Sequence, residues 1–305
     1  MALGLLTILD DITMMADDVA TMTKVAAKKV TGVLSDDVAL NAHQVSGFSP
    51  SRELPVVWAV AKGSAINKAI IVPVALLLVA VAPWALTPIL MLGGAFLCFE
   101  GVEKVFHKFL HSAEEDQAHH DQLLELAQMS PEQIMQHEKE KAKGAIRTDA
   151  ILSAEIIVIA LGTMQGAPFS QQALTLVVVS VVFTVGVYGL VAAIVKLDDL
   201  GFYLEKSARR GLRAAGSGLI AFVPYLMKAL SFLGTAALFL VGGGIIAHGT
   251  PPIHHFIESI ESQGGALSYI APALGNLLTG LAAGTIVLGL VMLYKKLFVK
   301  NDTAH

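Results

Sequence analysis

Charge is scarce in this sequence. Asp, Glu, Lys and Arg make up 15% of its 305 residues, hydrophobic residues make up 54%, and the mean hydropathy is +0.66. A soluble globular chain is about a quarter charged. The shortfall excludes a disordered chain and an ordinary soluble enzyme. Cysteine is almost absent: Cys98 stands alone inside an apolar run, so no disulfide framework exists. Lys and Arg are missing from the first 20 residues, which carry Asp10, Asp11, Asp17 and Asp18. That is the reverse of a basic region before an apolar core, so no cleavable signal peptide is expected. No P-loop, dinucleotide fingerprint or nucleophile elbow appears, and Gly162, Gly166 and Gly186 are isolated. The expectation is a non-enzyme that needs no cofactor. A net charge of −4, with the cations at membrane edges, argues against nucleic acid as a partner.

What is present is a set of long apolar runs. A helix needs about 20 mostly apolar residues to cross a bilayer. Six segments qualify: Val56–Ala82, Leu86–Val105, Ala150–Met164, Ala173–Val195, Leu219–Ala247 and Ile270–Leu293. Pro83-Trp84 reads as a tight turn between the first two, with Trp84 as an interfacial anchor. Gln165-Gly166-Ala167-Pro168 separates the third and fourth. The fold class predicted is therefore all-α, a polytopic membrane helical bundle of six transmembrane helices with amphipathic cytoplasmic helices.

The 21 Lys and Arg residues orient this bundle. They fall before or into the first span, between the second and third, between the fourth and fifth or just inside the latter, and after the sixth. The connections near Pro83, near Gly166 and from His248 to Tyr269 hold none. Positive loops stay in the cytoplasm. Both termini are thus expected inside. The lipid bilayer is the first partner, with anionic headgroups facing clusters such as Lys206–Arg213.

The chain then divides into a cytoplasmic N-terminal helical segment (1–55), a transmembrane hairpin (56–106) and a cytoplasmic helical loop (107–148). A second hairpin (149–196), an amphipathic segment (197–216), a third hairpin (217–294) with an outer loop (248–269) and a cytoplasmic tail (295–305) complete it. In the first segment Leu5, Ile8, Leu9, Ile12, Met15, Val19 and Met22 form an apolar stripe at helical spacing. That predicts a helix packed under the bundle or along the inner leaflet. Its pairs Asp10-Asp11 and Asp17-Asp18 share one face, and Asp198-Asp199 echoes them. These six form a candidate acidic cytoplasmic face, read either as a solvated surface or as a cation or proton site. The glycine pairs Gly93-Gly94 and Gly242-Gly243 also echo each other. Such echoes raise an inverted duplication of three spans each, a layout of transporters. In the loop, Ser130-Pro131-Glu132-Gln133 is a helix start, and a helix from Pro131 runs on towards the third span.

Ionisable and amide groups at membrane depth are the candidate site, because burying charge in lipid is costly. Lys62, Asn67 and Lys68 lie on the way into the first span, and Glu100 near the inner end of the second. Asp149 and Glu155 open the third, Glu155 about 9 Å in at 1.5 Å per residue. Asn276 lies in the sixth. They read either as a polar pathway or as snorkelling ion pairs and interhelical hydrogen bonds. Glu103, His107 and His111 recur at i, i+4, i+8, a weak candidate for a divalent metal, as solvated loops also collect His and Glu. His248, His254 and His255 near Pro251-Pro252 read as an exposed loop or a pH-sensing group. Pro73, Pro88 and Pro224 mark close packing or broken helices around a path.

The run Leu9-Asp10-Asp11-Ile12, the stretch Met22–Lys29, then Asp36-Asp37 and Leu40-Asn41-Ala42, the stretch Arg52–Ser64, and the segment from Met91-Leu92-Gly93-Gly94-Ala95 to Phe99-Glu100-Gly101-Val102-Glu103-Lys104 resemble the YedI family of bacterial inner-membrane proteins. The resemblance extends over nearly the whole chain. It implies a Gram-negative cytoplasmic membrane location. It brings no activity and no catalytic or binding residues.

Two functions from different classes follow. A small transporter or channel-like protein for ions or small solutes predicts a polar cavity lined by Lys68, Glu100 and Glu155. A non-transporting scaffold or regulatory protein predicts a cytoplasmic platform of amphipathic helices and self-association, to which glycine-rich spans as a homo-oligomer interface also point.

Overall fold

The computed structural model describes residues 2–45, 52–110, 131–262 and 266–294. Among these residues the regular structure is helical throughout. The helices are α1 (Ala2–Val45), α2 (Glu53–Val81), α3 (Leu86–Leu110), α4 (Pro131–Gly162), α5 (Phe169–Val195), α6 (Leu197–Glu205), α7 (Arg210–Gly249), α8 (Pro251–Glu261) and α9 (Ala266–Tyr294). A 3₁₀ turn over Pro83–Ala85 joins α2 to α3, as the Pro-Trp pair predicts, and Trp84 is exposed. Five helices are long and apolar enough to cross a membrane: α2, α3 with its preceding turn, α5, α7 and α9. The third apolar run forms the end of α4, which starts at Pro131 as the sequence predicts. The helices α2, α7 and α9 continue through Pro73, Pro224 and Pro272.

The chain sorts into two units that interleave along the sequence instead of dividing it into halves. The first holds 1–86 and 145–223, and the second 87–144 and 224–305.

In the first unit α1, α2, the end of α4 and α5 form a four-helix bundle. Its apolar core joins Ala26 and Val30 of α1, Val72 and Leu76 of α2, Ile156, Ile157 and Ala160 of α4, and Leu176, Val179 and Phe183 of α5. Helix directions follow from paired contacts. Asp18 meets Gln171, and Asn41 meets Tyr188, so α1 runs parallel to α5. Ser64 meets Asp149, and Lys68 meets Ser153, so α2 runs parallel to α4. The turn between α4 and α5 needs a left-handed residue, which Gly166 supplies with φ 85°. The Gln172 amide closes that turn by donating to the carbonyls of Ala167 and Met164.

Helix α1 corrects the sequence reading. It does not lie beneath the bundle; its small residues Ala26 and Val30 let it into the core beside α5. Its first half reaches the Pro168 end of α5, so the N-terminal end of α1 and the Gly166 turn lie on one side. The positive-loop rule sets them on opposite sides. It takes Lys24, Lys28 and Lys29 for loop cations, whereas they stand on the outward face of this helix.

The second unit is built on small residues. A Cβ at Gly94 would lie 2.8 Å from the Gly242 carbonyl oxygen, and one at Gly242 2.7 Å from Cys98 Sγ. The two glycine echoes therefore meet, closing α3 on α7. Gly280 of α9 is pressed against the backbone of Phe239 on α7, and Gly243 of α7 against that of Asn276 on α9.

Candidate functional site

Three pairs of polar residues spaced four apart generate the site. They are Asp37 and Asn41 on α1, Ser64 and Lys68 on α2, and Asp149 and Ser153 on α4. Four-residue spacing puts each pair on one helix face. In α2 and α4 that face continues in Val60, Val72, Ala145, Leu152 and Ile156, all buried, so the polar pairs go into the core with it. Tyr188 of α5, also buried, closes the group from the fourth side.

Lys68 and Asp149 are 5% and 4% exposed. A buried charge is tolerated only when it is paired and hydrogen-bonded. The Lys68 ammonium donates to Ser64 Oγ at 2.6 Å and Ser153 Oγ at 2.8 Å, and lies 3.9 Å from Asp149 Oδ2. The same hydroxyls donate to Asp149, at 3.0 Å from Ser64 and 3.2 Å from Ser153. Each serine thus relays the ammonium's polarisation to the carboxylate. Asp149 takes two further donors: the Tyr188 hydroxyl at 2.8 Å and the Asn67 amide at 3.4 Å. A carboxylate has about four acceptor sites. Asp149 is therefore fully served as an anion.

The other acids are not. Asp37 is 3% exposed, and its Oδ1 is enclosed without a hydrogen-bond partner. Glu155 Oε2 is enclosed and unpartnered in the same way. Asp37 lies within electrostatic range of Glu155, Asp149, Lys68 and Asp36. A line of polar contacts links its helix to the ion pair. The Asn41 amide donates to the Asp37 carbonyl at 2.9 Å, and the Tyr188 hydroxyl lies 3.1 Å from Asn41 Oδ1.

The cluster borders a groove between α2 and α5. One stretch, about 430 Å³, is lined by Lys68, Ser180 and Thr184 among Ala65, Ala69, Pro73 and valines. A second, about 650 Å³, is lined by Lys62, Trp58 and Tyr188 among others. Ala65, Thr184 and Val185 belong to both. Small residues at these positions leave the space.

A family model described as a protein of unknown function, DUF808, matches residues 3–290. The chain belongs to the DUF808 family. This is the family also called YedI, as the motifs from Leu9 to Lys104 imply. No curated protein and no solved structure matches the chain. The DUF808 description carries no activity, so the site is read from its own chemistry.

Of the sequence candidates, this DUF808 chain brings Asn67, Lys68 and Asp149 together, and places Glu155 within electrostatic range of Asp36 and Asp37 on α1. Lys62 stands one helical turn and a half before Lys68, exposed on the groove. Glu100 and Asn276 belong to the second unit. Glu100 pairs with Lys104 at 2.8 Å, one turn along α3, and the Asn276 side chain lies against Gly244. The acidic residues do not form one face. Asp10, Asp11, Asp17 and Asp18 are exposed towards the Pro168 end of α5, whereas Asp198 and Asp199 follow its opposite end. There Lys196 bonds Asp199 at 2.6 Å and lies 3.6 Å from Glu53. The hydrogen bond to Asp199, and then the carboxylates of Asp199, Glu53 and Asp198, hold its ammonium above the usual lysine range. Of the Glu103, His107 and His111 stripe, Glu103 is exposed; the His107 side chain and His111 lie outside the described residues. The rings of His248 and His254 are 4.8 Å apart, and those of His254 and His255 6.0 Å. Among the described residues, no group of three His, Cys, Asp or Glu is set to hold a metal ion.

Sequence reasoning did not place Asp37, Asn41, Ser64, Ser153 or Tyr188 in the site, although Asp37, Asn41 and Ser64 stand in the motifs that carry the family resemblance. The signal was there in the i, i+4 pairs. Tyr188→Phe tests the cluster's cohesion. It removes the single hydroxyl donor that Asp149 and Asn41 Oδ1 share, and is expected to cost roughly 1–3 kcal/mol. The check is a lower midpoint of thermal unfolding in mild detergent; an unchanged midpoint would mean that this bond adds nothing.

Proposed function

We propose that the protein is a small transporter or channel-like protein for ions or small solutes, working through the Lys68–Asp149 cluster. The observation that carries the reading is a buried ion pair inside a helical bundle, with two further carboxyl groups that each enclose one unpartnered oxygen. Ionisable groups at membrane depth mark pathways and proton relays more often than structural anchors. The groove, with Lys68 and Tyr188 in its walls, gives an approach from the side.

In this reading the protein sits in the bacterial inner membrane. The end of α4 acts as a sixth span, since it packs along α2 and α5 over its apolar stretch. The cation-rich connections face the cytoplasm, and so does the C-terminal tail. No cofactor and no catalytic step is involved. Helix α1 lies beside a span and turns Lys24, Lys28 and Lys29 outward, a face that lipid would not cover. Water or protein covers it instead. Ile12, Met14 and Met15 are also exposed on α1. This mixed face favours a second reading, a scaffold or homo-oligomer in which α1 meets another protein surface.

Reconstitution into vesicles separates the two. The full chain is placed in liposomes holding pyranine for protons, or fluorescent indicators for sodium and potassium. Transport predicts flux above empty vesicles, slowed about tenfold in Tyr188→Phe if about 1.4 kcal/mol is lost at the site. Flux equal to that of empty vesicles for all three ions, with a stable oligomer in mild detergent, would favour the scaffold.

A further inference from the structure

Charge bookkeeping in the cluster leaves a surplus of acid. The charged and titratable groups that face one another are Asp36 and Asp37 from α1, Lys68 from α2, Asp149 and Glu155 from α4, and Tyr188 from α5. The one cation among these groups is Lys68. Its two hydroxyl relays, Ser64 and Ser153, both end on Asp149, which also holds the Tyr188 and Asn67 donors. Asp149 is therefore the anion of the pair. Nothing comparable serves Asp37, whose Oδ1 is enclosed without a donor. A bare carboxylate in that position would bear a desolvated charge, with other carboxyl groups, Asp149 and Glu155, within electrostatic range. A proton removes that charge at once.

We infer that Asp37 is the proton-carrying group of this site, neutral while Lys68 serves Asp149 and exchanging its proton with water when the bundle opens. Asp37 is preferred to Glu155 because it is the more deeply buried and has Lys68 within electrostatic range. Loss of the proton from Asp37 gives Lys68 two anions to choose between. The ammonium then swings from the Ser64–Ser153–Asp149 relay towards α1. A proton taken up on one side and released on the other would thus be tied to a rearrangement of all four helices. The inference rests on taking this cluster as the working site of transport, and names the proton as the ion that drives it.

Infrared spectroscopy on the full-length protein in nanodiscs tests the assignment without any flux. A protonated buried acid shows a carboxyl C=O stretch that shifts in heavy water. Each buried acid adds its own component to this band, and the component of Asp37 is expected at neutral pH in the wild type, lost in Asp37→Asn and kept in Glu155→Gln. Asparagine mimics the neutral acid, so the variant is expected to fold, and thermal unfolding checks this. Stability gives a second readout. A group protonated when folded stabilises most at low pH, and that share is lost as pH rises through its folded value. Asp37→Asn should remove the share of Asp37 and so flatten this pH-dependent loss. No band in the wild type, a spectrum that Asp37→Asn leaves unchanged, or a band that disappears only in Glu155→Gln overturns the assignment. So does a sodium-dependent rise in the unfolding midpoint that Asp37→Asn removes, since sodium would then occupy the site. Failure of wild-type flux sinks the transport reading but leaves the infrared result to decide Asp37.

Discussion

Lys68→Met is expected to destabilise the protein by about 3 kcal/mol or more, while Lys68→Met with Asp149→Asn should recover much of the loss. Breaking a buried ion pair strands the surviving charge, and such single deletions cost about 3–5 kcal/mol. Here the stranded group is Asp149, which keeps Ser64, Ser153, Tyr188 and Asn67 as donors. Those four bonds pull the expected cost to the lower end of the range. Methionine keeps the length of the lysine stem, so the groove wall beside Ala65 and Val72 stays filled. The double variant removes both charges and leaves an amide that can still accept and donate. Thermal unfolding of the three variants in one detergent gives the coupling between the two residues by a double-mutant cycle. Equal losses that simply add would mean that Lys68 and Asp149 do not act as a pair. A single variant as stable as the wild type would mean that the cluster is already neutral.

How far the sequence reaches depends on what each helix shows to its surroundings. Helices α2, α5, α7 and α9 are legible because they face an apolar medium on one side and an apolar core on the other. Exposed Ile66, Ile70, Val74, Leu77 and Val81 make this plain on α2. Helix α4 is half legible, since only its last turns are apolar and the rest reads as a soluble helix. Helix α1 misleads. Its charges signal a surface helix, and nothing local shows that Ala26 and Val30 enter a core. That fact lies in the partner surfaces of α4 and α5.

The site divides along the same line. Lys68 and Asp149 stand out because charge is rare in those runs. Ser64, Ser153 and Tyr188 do not, because hydroxyls are cheap in a membrane helix and usually bond their own backbone. They become informative only as pairs. Ser64 lies four residues before Lys68, and Ser153 four after Asp149, so each stands on the face of a charge. Asp37 is hidden beside Asp36, in a helix whose charges read as a solvated surface. The acidic pairs in turn look alike, but the echo between Asp10-Asp11 and Asp198-Asp199 says nothing of position. They lie towards opposite ends of α5.

In the second unit the largest expected effect comes from a single methyl group. Gly243→Ala should cost about 2 kcal/mol or more, and Gly289→Ala should cost nothing or stabilise slightly. A Cβ at Gly243 would overlap the Asn276 carbonyl oxygen and lie 2.6 Å from the Gly280 nitrogen. Both are backbone atoms, so no side chain can rotate away. Helices α7 and α9 would have to separate, and Gly280, packed on the Phe239 backbone, would lose its own contact with them. Overpacking of this kind typically costs about 1–3 kcal/mol, and here both sides of the seam are opened together. A methyl group at Gly289, farther along α9, would meet nothing within 4 Å. There alanine gains about 1 kcal/mol of helix propensity over glycine. The two substitutions are chemically the same, so the difference between their unfolding midpoints isolates packing from propensity. Small residues are what let membrane helices approach, because lipid supplies no hydrophobic drive between them. If both variants unfold at the wild-type temperature, the glycine seam does not hold α7 to α9. If Gly289→Ala is the worse of the two, its outward face meets a surface that the single chain does not contain.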